Sequence, residues 1–172
     1  MAVFYCDQCW AENEPGAEQC AFCGANLREP QGDWVDRLTR SLRHPVPEWR
    51  AFAAYQLGCM DDDRAAAALC QATESEAGRE DSELLIVAAA ALGRLRRASS
   101  VGALSGLAKD SFIAVRLGAV KALAAIGTSE ALVELEHIAV SDPSVSVRKC
   151  AEVAVQDAKR EVQGDERRGS PR

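Results

Sequence analysis

Four stretches of this chain can be laid over one another: WRAFAAYQLG from Trp49 to Gly58, LLIVAAAALG from Leu84 to Gly93, VRLGAVKALA from Val115 to Ala124, and VRKCAEVAVQ from Val147 to Gln156. Their second positions, Arg50, Leu85, Arg116 and Arg148, recur at steps of 35, 31 and 32 residues. A near-constant period of this size restricts the chain to stacked units, each burying its apolar flank against the next. Apolar residues at the first, fifth and ninth positions of every segment form one stripe of a helix. Further helical stretches lie between them, from Asp63 to about Ser75, Ala98 to Lys109 and Ser129 to Val140. Ahead of the first comes Asp33 to Arg43, with Trp34, Leu38 and Leu42 on one face. The expected fold is all-α, a short solenoid of about four helical hairpins over residues 33–162.

Composition agrees with that reading. Aromatic residues make up 5% of the 172 residues and alanine is plentiful, which suits closely approaching helices better than a sheet. The boundary residues fit too. Asp142 before Pro143, Asp110 with Ser111, and Thr128 or Ser129 are read as helix starts, and Gly58, Gly93 and Gly127 as stops. Trp34 and its helix are expected to close one end of the stack, and Ala151 to Val162 the other. Glu29 to Gly32 reads as a polar linker and residues 163–172 as a disordered tail, because QGDERRGSPR carries no apolar residue.

Residues 1–28 are different in kind. Cys6 and Cys9, then ten intervening residues, then Cys20 and Cys23 followed by Gly24, make two CxxC pairs. Two such turns can present four thiolates tetrahedrally, with backbone amides turning back toward the sulfurs. Phe4, Tyr5, Trp10, Phe22 and Leu27 are too little apolar material for a core, so folding here is expected to require one structural Zn2+ on Cys6, Cys9, Cys20 and Cys23. Met1 to Trp10 shows no basic start followed by an apolar run, and Leu84 to Leu92 is far short of a membrane span. A reducing, cytoplasmic setting without membrane contact is therefore expected, and disulfides are the less favoured use of these thiols. Four thiolates leave no open position for water, so a catalytic metal is not expected. Cys59, Cys70 and Cys150 lie in apolar helices and read as small core residues.

The stretch YCDQCWAENEPGAEQCAFCGANL resembles the short zinc ribbons at the ends of many bacterial and archaeal proteins. The segments from Asp110 to Gly127 and from Asp142 to Val155 resemble HEAT-like repeats of the kind found in phycobilisome lyase subunits and many prokaryotic scaffold proteins. The signatures of ankyrin and tetratricopeptide arrays, which have similar periods, are missing. The HEAT resemblance implies a ladder of Asp and Arg joining turns to neighbouring helices. Its offset of six recurs in Asp110 with Arg116 and in Asp142 with Arg148, whereas His44 in the first unit and Leu85 in the second break the ladder at that end. It also implies that the second helix of each hairpin lines a concave face. The third and seventh positions of the aligned segments then give Ala51, Tyr55, Ile86, Ala90, Leu117, Lys121, Lys149 and Val153 as partner-binding residues.

Function is read as a non-catalytic adaptor, with a protein partner on the concave face and the ribbon either contacting a second partner or anchoring the first end of the stack. HEAT-like iron hydroxylases depend on His-Glu pairs, and neither His44 nor His137 is followed by Glu. Glycine-rich phosphate loops, nucleophile elbows and paired carboxylates at a credible site are also missing, so no enzyme is expected. Two other classes stay open: an accessory subunit of a lyase-type modification system, and a nucleic-acid binder using ribbon and array together. The net charge of −6 disfavours the latter, and so does a ribbon with Asp7, Glu12, Glu14, Glu18 and Glu29 against Arg28. The acidic run Glu74 to Glu83 reads as a solvated turn, and the cluster of Arg94, Arg96 and Arg97 as a complement to the negative end of a helix.

Overall fold

The computed structural model describes residues 4–29 and 31–168. Residues 1–3 of the ribbon, Pro30 of the linker and 169–172 of the tail lie outside the described residues. Two short strands, β1 (Phe4–Tyr5) and β2 (Glu12–Asn13), pair antiparallel with Phe4 opposite Asn13. Helices follow: α1 (Trp34–Ser41), α2 (Pro47–Leu57), α3 (Asp63–Glu74), α4 (Glu76–Arg79), α5 (Ser82–Leu95), the 3-10 turn η1 (Ala98–Ser100), α6 (Val101–Leu107), α7 (Ile113–Ile126), α8 (Ser129–Ser141) and α9 (Val145–Arg168). They form an α-solenoid of four hairpins: α1 with α2, α3 with α5, α6 with α7, and α8 with α9. Among the described residues no helix is long and apolar enough to cross a membrane.

The repeat helices α2, α5, α7 and α9 pack side by side in one layer, while α1, α3, α6 and α8 form a looser second layer. Small residues explain the difference. A Cβ on Gly58 would stand 2.4 Å from that of Ala91, and one on Gly93 would stand 2.9 Å from the Ala122 Cα. Gly93 therefore lies inside α5 as a close-approach residue, not at a helix stop as the sequence suggests. Gly127 does end its helix, with φ of 67° in the left-handed region. We call the repeat layer, the more closely spaced of the two, the inner layer. The core between the layers is leucine, valine and alanine, with Leu57, Leu92, Leu104 and Leu123 fully buried.

Helix starts are set by side-chain caps. Asp33 and Asp36 form a reciprocal capping box on α1, Asp62 accepts from the Arg64 amide, Asp81 from Leu84, and Thr128 from Ala131. Asp142 and Asp110 differ from expectation. Each carboxylate accepts an amide two residues on, from Ser144 at 2.7 Å and Phe112 at 2.8 Å, so both close turns ahead of helices that begin later. The expected turn at Glu74 to Glu83 contains α4, capped by Ser75. Helix α9 runs on to Arg168, past the expected end at 162. Extending a helix already anchored by Val147, Ala151 and Val155 costs far less than starting one. Cys59 is exposed and so is no core residue, while Cys70 and Cys150 are half-buried against the core.

The Asp–Arg ladder is built differently from the one expected. Arg116 meets the carboxylate of Asp142 in the next repeat, with Nε to Oδ2 at 2.8 Å and Nη2 to Oδ1 at 3.3 Å, both groups buried. Arg50 meets Asp81 in the same way at 2.7 Å. The offset of six instead marks a bond to a backbone carbonyl: Arg116 to Asp110 at 2.8 Å, Arg148 to Asp142 at 2.6 Å, and Arg50 to His44 at 2.8 Å. Histidine in place of aspartate thus loses nothing at that contact, and the first joint of the ladder is intact. The rung is missing at the second joint, where Leu85 is buried in the arginine position.

Candidate metal centre and interaction faces

Each CxxC pair closes a knuckle of the same design. Cys6 N donates to Ala11 O at 3.0 Å and Trp10 N to Cys6 O at 2.9 Å; in the second knuckle Cys20 N donates to Ala25 O at 2.8 Å and Gly24 N to Cys20 O at 2.9 Å. The sulfurs face one another. Cys6 and Cys23 Sγ are 3.7 Å apart, Cys9 and Cys20 Sγ are 3.6 Å apart, and all four lie within 4.8 Å of each other. A tetrahedron of thiolates at about 2.3 Å from a central ion has edges of about 3.8 Å, so the set could hold a metal ion.

The thiols are unlike in their acidity. The Cys23 amide, with help from that of Phe22, draws Cys20 down to about 6 against desolvation. The Ala11 amide favours the thiolate of Cys9, yet desolvation and the thiols of Cys23, Cys20 and Cys6 together push it up to about 12. Burial raises Cys6 as well. Four negative sulfurs crowded together repel without a cation between them, so metal entry must displace protons.

The knuckle geometry shows what sequence reading passed over. Trp10 has φ of 61° and Gly24, at the matching place in the second knuckle, has φ of 74°. A side chain in that conformation costs roughly 1–2 kcal/mol. Trp10 sets its ring edge-on to His44, centroids 4.7 Å apart, and Tyr5 approaches the same imidazole at 5.2 Å. Arg40 of α1 adds a polar clamp, donating from Nε to Asp7 O at 3.0 Å and lying 3.6 Å from the Asp7 carboxylate. The ribbon is therefore docked on the first hairpin. His44 Nδ1 accepts from the Val46 amide at 3.0 Å, and desolvation, helped by Arg50, holds its pKa below the ordinary histidine value.

Of the eight residues projected onto the inner face, Tyr55, Ile86, Ala90, Lys121, Lys149 and Val153 are exposed and Leu117 is half-buried. Ala51 is buried in the core, and the exposed neighbour at that turn is Phe52. None of the chain's three Trp, two Tyr and four Phe is buried. Arg94 caps the carbonyl end of α2, donating to Gly58 O and Tyr55 O at 3.3 Å each, with its guanidinium 5.1 Å from the Tyr55 ring. Arg97 bridges Asp61 and Asp63 at 2.6 Å each, so two of the three clustered arginines are spent on intramolecular staples.

Fold and site define an α-solenoid of helical hairpins carrying a four-cysteine ribbon on its first unit. Comparison with known proteins agrees for the array: residues 74–156, from the end of α3 into α9, match the family model described as HEAT repeats. Deoxyhypusine hydroxylase-B of Oryza sativa subsp. japonica is similar, being 34% identical over 128 residues. That stretch is 73% of this chain and 40% of that protein, so the chain spans about two fifths of the length of the relative it matches.

Proposed function

We propose that this chain is a non-catalytic adaptor, in which one zinc ion on Cys6, Cys9, Cys20 and Cys23 fixes the ribbon and the inner helical face receives a protein partner. The observation that carries the adaptor reading is the placement of Tyr55, Ile86 and Val153. Apolar side chains stand exposed at the third or seventh repeat position of α2, α5 and α9. Exposed apolar and aromatic surface on a rigid frame is what protein interfaces use as anchors. Zinc is supported by the donor set, since four thiolates in a closed tetrahedral arrangement suit a structural site of that metal. The ion would bind through all four sulfurs and leave none of its positions for substrate.

Hydroxylase activity is the reading suggested by the name of the rice relative. Two features disfavour it here. His44, half-buried, packs against the rings of Tyr5, Trp10 and Trp49 with its Nδ1 taken by the Val46 amide, and the exposed His137 shares its Nδ1 with Ser141 Oγ at 3.1 Å. Among the described residues, the four cysteines are the one group of three or more side chains placed to hold a metal. A part in a lyase-type modification system would use the same inner face, with the modified protein as the partner. Affinity capture with the full chain, followed by mass spectrometry, tests the adaptor reading. A recurring protein lost on Tyr55→Glu with Leu117→Glu supports it, while a partner retained in full by that variant, or recovery of nucleic acid alone, contradicts it.

A further inference from the structure

The two end faces of the stack differ, and the repeat register shows how. Between neighbouring repeats the sixth and tenth positions of one inner helix meet the fourth and eighth of the next. Gly58 faces Ala91, Gly93 faces Ala122, and a Cβ on Gly118 would stand 3.4 Å from that of Ala89. First positions belong to the core, where Leu84, Val115 and Val147 are buried. Helix α2 has no repeat helix before it, and at its first and fourth positions it carries Trp49 and Phe52, 55% and 44% exposed. Helix α9 has none after it, and its sixth and tenth positions are the exposed polar residues Glu152 and Gln156. One end of the stack is finished by polar side chains, as a terminal repeat requires. The other is aromatic, and Trp49 and Phe52 stay about half exposed with the ribbon in place.

The first knuckle of the ribbon lies against that aromatic end. Rings run in contact from Trp10 to His44 at 4.7 Å, from His44 to Trp49 at 6.1 Å, and from Trp49 to Phe52 at 5.9 Å. With Trp34 they line a cavity of about 300 Å³ in which all three tryptophans of the chain meet. Trp10 reaches it only from a left-handed backbone, at a place where the second knuckle uses Gly24 with open space around it. A ribbon serving only to hold metal would favour glycine at both places. We propose that the ribbon is a metal-dependent end cap of the solenoid: the four thiolates fix the knuckle, the knuckle sets Trp10, and Trp10 packs through His44 against one edge of the aromatic end face, which it covers in part. The cap rests on the zinc reading above.

The test uses the full chain with added zinc or a strong chelator. Helical melting is followed by circular dichroism, hydrogen exchange is read across Pro47–Leu57, and oligomeric state is measured by sedimentation. Chelation is expected to lower the melting midpoint of the helices by on the order of 5 °C. It should also speed exchange in that segment and increase self-association through the more fully exposed end face. Trp10→Gly should keep the zinc affinity, because glycine suits the knuckle backbone, yet melt like the stripped protein whether or not zinc is present. Protein that takes up no zinc overturns the metal reading and the metal control together. Protein that binds zinc, but whose helical melting and exchange ignore both chelation and Trp10→Gly, overturns the cap alone.

Discussion

Asp142 serves three partners. Its carboxylate takes two bonds from buried Arg116 and one from the Ser144 amide, while its carbonyl takes Arg148. Removing it leaves a buried guanidinium without its counter-charge, which is far costlier than losing a surface pair. Asp142→Ala is therefore expected to cost about 3–5 kcal/mol in denaturant unfolding, and adding Arg116→Met should return part of that loss. His44 gives a pH dependence whose sign follows from its lowered pKa. A histidine kept neutral on folding contributes stability that is full above its ordinary value of about 6.5 and lost as pH falls below it, because the unfolded chain binds the proton first. Melting measured between pH 7 and 5 should decline less steeply for His44→Gln than for the parent chain.

At the scale of elements, the hairpins depend on small residues where helices cross. A Cβ on Gly58 would meet both the Cβ of Ala91 at 2.4 Å and its Cα at 2.6 Å, so the helices must part to admit it. Gly58→Ala is expected to destabilise by about 1–3 kcal/mol, read as a lowered urea midpoint with little change in slope. Helix existence and order were legible in the sequence because the apolar stripe repeats at every unit, and Thr128 caps its helix as its position suggests. Helix α4 was not legible, since four residues are too few to show a period. The partner of Arg116 was equally hidden. An offset of six within one repeat and a contact across two repeats leave the same pattern in a periodic sequence.

For the molecule as a whole, the four cysteines could be read directly because paired CxxC spacing leaves few alternatives, and the structure brings their sulfurs together. The docking of the ribbon could not be read, because it joins Trp10 to His44 and Asp7 to Arg40, residues more than thirty apart with no shared motif. The inner face fell between these cases. Register named most of its exposed positions, but it placed Ala51 there although the side chain is buried, and it missed Phe52 and Trp49 at the end.

On the adaptor reading the partner meets the inner layer, where Tyr55, Ile86 and Val153 are exposed. Site-specific photocrosslinking tests this, with a benzophenone side chain placed at Ile86 on α5 or at Val133 on α8, both exposed in the free chain. Expected is a partner adduct from position 86 and none from position 133. Adducts from position 133 with none from position 86 would contradict recognition by the inner face.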